Sequence, residues 1–178
     1  MTDSLFFDTD CISAFLWVKN ESILTHLYPG KIMIPKHVYN ELSYPKISHL
    51  KSRIDLMVAS NQAEILEIML GTEEYNTFYQ LTTNQGSGIK IIGKGEAASI
   101  ALARKHNGIV ASNNLCDVKE YIEKFELKHT TTADILVEAL NKELITEEEG
   151  NKIWTSMLMK KRKLGASSFT EYLIKIRL

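Results

Sequence analysis

The chain has 178 residues, 44% hydrophobic and 24% charged, with a formal net charge of −1. This length suits a single domain with a real core, and the composition is that of a globular rather than a disordered chain. The near-neutral charge excludes a protein that coats nucleic acid through bulk attraction, so a nucleic-acid partner has to be held by local patches or by metal. Cys11 and Cys116 are the only cysteines, with no CxxC and no His-Cys cluster at zinc spacing. Two free thiols fit a reducing cytosol. The start Met1-Thr-Asp-Ser lacks a basic leader region, and no apolar run approaches the roughly 18 residues of a membrane span. The expectation is a cytoplasmic protein without a membrane partner.

Ser4 to Phe7 reads as a buried strand ending at Asp8. Thr9 or Asp10 caps the helix that follows through Trp17, and Asn20 caps another toward Leu27. After the Tyr28-Pro29-Gly30 turn, Lys31 to Ile34 forms a second strand, and Pro35 suits the first turn of a helix through Leu42. A helix over about 47–60, a strand over 63–69 and a helix over 72–81 come next. The polar stretch 82–95 carries Gly86, Gly88, Gly93 and Gly95 and reads as a loop beside the active face. Helix resumes over 96–106 and ends at Asn107-Gly108. Ile109 to Ser112 is the fourth strand, 118–125 a helix and Leu127 to His129 the fifth strand. Thr131 or Thr132 caps a helix to Asn141. Acids at Glu147 to Glu149 open the next helix, Lys160 to Lys163 close it, and a final helix covers about 169–176. Strands alternating with helices predict an α/β fold: a mostly parallel sheet of about five strands, covered on both faces.

In such sheets ligands bind beyond the carboxyl ends of the strands. Asp8 stands there after the first strand, with Asp10 two residues further. Glu41 lies on the helix after the second strand, Glu96 opens the helix before the fourth, and Asp117 follows that strand by five residues. Carboxylates brought together resist joint ionisation unless a cation neutralises them. Hard oxygen ligands favour Mg2+ or Mn2+ over zinc, and such an ion promotes in-line displacement at a phosphoryl group. Taken singly, each acid is equally well a helix cap or an ordinary surface residue.

The wording around these acids adds a resemblance. Phe6-Phe-Asp-Thr-Asp-Cys-Ile-Ser-Ala-Phe-Leu16 resembles the opening of PIN-domain nucleases. Ile34-Pro-Lys-His-Val-Tyr-Asn-Glu-Leu42 is similar to that family's second motif, and Gly95-Glu-Ala-Ala-Ser-Ile-Ala-Leu-Ala103 to its third. Val110-Ala-Ser-Asn-Asn-Leu-Cys-Asp-Val118 is similar to a segment of VapC-type toxins, and Thr130 to Glu143 to the tail of a PIN branch of uncertain biology. The resemblance spans most of the chain, in the family's order. It implies a three-layer α/β/α PIN-like domain over 1–178, with the helices of about 131–178 on the same core. It implies a Mg2+- or Mn2+-dependent endoribonuclease, the toxin of a toxin–antitoxin pair, with RNA and an antitoxin protein as partners and a homodimeric assembly.

By position, Asp8, Glu41, Glu96 and Asp117 would be catalytic, with Asp8, Glu96 and Asp117 as metal ligands. Asp10, Ser112 and Asn114 would support them from behind. Lys90 and Lys94, beside the third motif, would hold the substrate backbone. Many PIN nucleases have an Asp where this chain has Asn113 or Asn114. Should Asp117 not replace it, the alternative is a catalytically degenerate PIN-like domain that binds RNA or a protein; a DNA nuclease is a third option.

Other signals point elsewhere. Gly88 to Gly95 matches G-x-x-x-x-G-K, but Gly95 replaces the Ser or Thr that would bind Mg2+, and no strand feeds it. The run Lys160-Lys-Arg-Lys163 reads as a solvated helix end rather than a phosphate contact. The histidines at 26, 37, 49 and 106 are scattered, Cys116 has no neighbouring base, and Trp17 and Trp154 fall on apolar helical faces.

Overall fold

Leu5–Phe7 (β1) is wholly buried, and its side chains alternate between two apolar layers, as strand geometry demands. Leu5 and Phe7 enter one layer and Phe6 the other. The computed structural model describes residues 3–83 and 90–177. Among them four more strands, Ile32–Pro35 (β2), Ala63–Leu66 (β3), Ile109–Ala111 (β4) and Lys128–Thr130 (β5), complete a sheet of order β3-β2-β1-β4-β5. Every pairing is parallel, with Leu5 opposite Ile32 on one side and Ile109 on the other. The chain therefore winds outward from β1 toward β3, then crosses back to β4, leaving a switch point between β1 and β4.

Helices Thr9–Trp17 (α1), Glu21–Leu27 (α2), Lys36–Glu41 (α3) and Ser48–Ala59 (α4) contribute to one apolar layer. So do the later helices Thr132–Asn141 (α8), Glu147–Met159 (α9) and Phe169–Arg177 (α10). Glu73–Thr82 (α5), Lys94–His106 (α6) and Leu115–Lys124 (α7) supply residues to the other. The result is three layers, α/β/α. The second layer is thin over β1 because α6 faces it with Ala97, Ala98 and Ser99, and the Ser99 hydroxyl donates to the Phe7 carbonyl at 2.9 Å. Gly108 serves the same tight packing: a Cβ there would lie 2.4 Å from the Phe6 ring. No described helix is long and apolar enough to cross a membrane.

Several boundaries differ from expectation for local reasons. Asp8, not Thr9 or Asp10, caps α1. Asn20 precedes α2 without a side-chain capping bond. The third strand stops at Leu66 rather than 69, α6 starts two residues before Glu96, and α7 starts three residues before Val118. In α6 and α7 the added residues are first-turn positions, which lack the apolar periodicity that marks a helix interior. The last helix before α10 ends at Met159, so Lys160 to Lys163 do not extend it. Gly86 and Gly88, and with them the start of the G-x-x-x-x-G-K match, lie outside the described residues.

Candidate functional site

The carboxylate of Asp8 divides its work between its two oxygens. Oδ1 accepts the amide of Cys11 at 2.7 Å and closes the first turn of α1. Oδ2 is buried and, among the described residues, has no hydrogen-bond partner. The residue is only 1% exposed, and its own amide is fixed to the Ala111 carbonyl across the switch point. Burial pushes the carboxyl up to about 7; the Ser112 hydroxyl and the Cys11 amide pull it down, while the charges of Asp10 and Glu96 push it further up.

A cavity of about 300 Å3 opens at this strand end, lined by Asp8, Thr9, Asp10, Ser13, Glu41, Gly93, Gly95, Glu96 and Arg162. Four carboxylates from α1 and its cap, α3 and α6 thus share one space. Glu41 is held by the Thr9 hydroxyl, which donates to its Oε2. The start of α6 approaches closely because residue 95 has no side chain: a Cβ would stand 2.8 Å from Thr9 Oγ1 and 3.1 Å from Glu41 Oε2. Glu96 uses one oxygen to cap its own helix through the Gly93 amide at 2.9 Å. Its Oε1 accepts the side-chain amide of Asn114 at 2.8 Å.

Asp117 sits differently. It does not line the cavity. Its Oδ1 takes the Lys90 ammonium and its Oδ2 the Asn114 amide, the reach expected of residues three apart on one helical turn. Lys90 first, and then Asn114, hold its carboxyl below the usual range. Asn114 is therefore a bridge between Glu96 and Asp117, and Lys90 is engaged with an acid. Lys94 is exposed at the start of α6. Ser112 is fully buried, accepts the Asn114 amide at 3.2 Å and gives its carbonyl to His129.

Four residues of the site stand outside the set that the sequence marks as catalytic, metal-binding or supporting. Thr9 orients Glu41. Ser13 and Arg162 line the cavity wall, and Arg162 Nη1 donates to Asp10 Oδ1 at 2.9 Å. Asn113 ties Asp10 to α8, donating to Asp10 Oδ2 at 3.1 Å and accepting the Thr132 amide at 2.8 Å. For Arg162 the one signal in the sequence is the basic run Lys160 to Lys163, whose expected place is a solvated helix end.

The donor set suits a hard divalent cation. Oxygen atoms alone face the cavity from Asp8, Asp10, Glu41 and Glu96, and the orphaned Asp8 Oδ2 is a buried acceptor that a cation would satisfy. Among the described residues no three His, Cys, Asp or Glu form a ready-made cage. Mg2+ does not demand one, since it is held by one or two carboxylates with waters and substrate phosphates.

A parallel, doubly wound sheet with acids gathered at its switch point defines an α/β/α protein of PIN-like architecture. The chain belongs to the PIN-domain family: the sequence family DUF3368, described as a PIN domain, matches residues 4–177. It is also similar to a chain in the crystal structure of VapBC2 from Rickettsia felis bound to a DNA fragment from their promoter. That likeness has a TM-score of 0.49 and 19% identity, over 71% of this chain and 97% of the other. No curated protein matches the chain.

Proposed function

We propose that the chain is a Mg2+- or Mn2+-dependent endoribonuclease. The observation that carries the reading is the buried, unpartnered Oδ2 of Asp8 sharing a cavity with Glu96 at the sheet's switch point. Asp8 and Glu96 would hold the ion, with Glu41 lining the same cavity and the side-chain amide of Asn114 bonded to Glu96. When bound, the ion supplies Lewis-acid stabilisation of phosphoryl charge and acidifies water at the site. The chain's own contribution is placement. The Cys11 amide fixes Asp8, Thr9 fixes Glu41, and Gly93 and Asn114 fix Glu96. Asp117 acts through Asn114 rather than from the cavity. The toxin role, with an antitoxin protein as partner, and the homodimer rest on family membership and on the motif around Ser112 to Asp117.

A second reading is favoured by one observation. Asp117 is neutralised by Lys90 and stands outside the cavity, which fits a degenerate PIN-like domain that binds RNA or a protein without cutting. Cleavage of labelled single-stranded RNA in Mn2+ separates the two. The endoribonuclease reading expects EDTA-sensitive cleavage that falls at least about 100-fold in Asp8→Asn and Glu96→Gln, with unchanged circular dichroism. It expects Asp117→Ala to weaken Mn2+ binding about 10- to 100-fold, as loss of a ligand-orienting group does, and Asn113→Ala to matter less. Cleavage by Asp8→Asn at the parental rate overturns the site; no cleavage by the parent chain supports the second reading.

A further inference from the structure

The basic run after α9 is turned off the helix. Lys161 takes a left-handed φ of 61°, and the amides of Lys161 and Arg162 fold back onto the carbonyls of Leu158 and Met157 at 2.8 and 3.0 Å. This is a Schellman closure, here with lysine where glycine is usual. It throws Arg162 toward the first turn of α1. There its Nη1 donates to Asp10 Oδ1 at 2.9 Å and Ser13 Oγ at 3.3 Å, and its Nε donates to the Lys160 carbonyl at 3.1 Å. These three bonds fix the guanidinium plane. Among the described residues its Nη2 has no hydrogen-bond partner. Among the described residues that line the cavity Arg162 is the one cation, sharing it with Asp8, Asp10, Glu41 and Glu96.

Stability does not explain this arrangement. The Asp10 and Arg162 side chains are 42% and 23% exposed, a setting in which an ion pair contributes little. A left-handed lysine adds a cost of its own. What the arrangement does provide is a planar donor edge, already ordered, in a pocket whose acids would otherwise repel a polyanion. A guanidinium matches phosphate geometry, and its immobilisation lowers the entropy lost on binding.

We propose that Arg162 is the phosphate-binding residue of this cavity. Its Nη2 edge takes a non-bridging oxygen of a single-stranded RNA backbone, while Asp10 and Ser13 hold the plane. The proposal rests on the reading of the cavity as a phosphodiester site, yet its test needs no turnover. The probe is a fluorescein-labelled 12-nucleotide single-stranded RNA, followed by anisotropy in EDTA from 50 to 200 mM KCl. Arg162→Gln is expected to weaken binding at least tenfold at 50 mM, and to make the slope of log K against log salt shallower by about 0.7, one phosphate contact's share. Arg162→Lys should keep the slope and lose part of the affinity. Lys152→Gln on the outer face of α9 removes the same charge and should change neither, and thermal melts confirm that each variant is folded. Unchanged slope and affinity in Arg162→Gln, an equal loss in Lys152→Gln, or no binding by the parent chain would each overturn the proposal. A parent chain that binds through Arg162 but never cleaves in Mn2+ upholds it and removes the nuclease reading instead.

Discussion

Asp8 is both a helix cap and a free acid, because a carboxylate has two oxygens and the α1 turn needs only one. This has a measurable consequence in the absence of metal. Its carboxyl is raised to about 7 by burial, against an ordinary value of 3.8. A raised acid stabilises the fold below its unfolded value, and that stability is lost as pH climbs through the folded value. The parent chain in EDTA should therefore lose up to about 4 kcal/mol between pH 4 and pH 7 from this one group, at 1.36 kcal/mol per unit. Asp8→Asn keeps the capping oxygen and loses the charge. Its melting temperature should exceed the parent's at pH 8, with the gap closing toward pH 4.5. A gap of constant size across that range would mean that Asp8 is not the group responsible.

Among the described residues, six helix ends share an uncommon feature. Lys19, Asn61, Asn107, Glu126, Glu143 and Lys161 all follow helices with φ between 51° and 61°, where glycine is the usual residue. In each case amides beyond the helix turn back onto its last carbonyls; Glu143 and Leu144 reach Leu140 and Ala139 at 3.0 and 2.9 Å. A side chain in this region costs about 1 kcal/mol or more. Glu143 is exposed and does not line the cavity, so Glu143→Gly should stabilise the protein by about 1 kcal/mol and raise its melting temperature by about 3 °C. A lowered melting temperature would show that glycine's extra freedom in the unfolded chain outweighs the relief of strain. At Lys161 the same geometry aims Arg162 at Asp10, so the feature touches function there as well as stability.

The helices beyond β5 share the core of the β1 layer. Trp154 on α9 is fully buried, packs its ring on Phe169 and Tyr172, and donates its indole N–H to the Ala166 carbonyl at 3.1 Å. Gly150 leaves the space that Phe169 fills, since a Cβ there would lie 2.3 Å from the ring. Deleting 164–178 removes Leu164, Phe169 and Leu173, each worth roughly 1.5 to 3 kcal/mol when buried. The sum is comparable with the whole stability of an ordinary domain, about 5 to 15 kcal/mol. We expect one calorimetric transition for the full chain and no cooperative melt above 37 °C for the truncated one. A truncated chain that melts within a few degrees of the parent would show that these helices fold apart from the sheet.

The amino-acid sequence alone determined the five strands, their alternation with helices and the order of the acidic motifs. These are written in local periodicity and in neighbouring residues: Phe6-Phe7 before Asp8, Pro35 before α3, Gly95 before Glu96. It also marked Asp8, Glu41 and Glu96 as candidates, since each stands at a predictable strand or helix end. Only the tertiary structure decided that β1 lies between β2 and β4, which is what makes Asp8 a switch-point residue. It alone separated Asp117, drawn outward by Lys90, from the acids that line the cavity, and it alone brought Arg162 to Asp10 across 152 residues. Local patterns reflect the pitch of one helix or the pleat of one strand. Contacts such as these depend on how whole elements stack, and no short stretch of sequence encodes that.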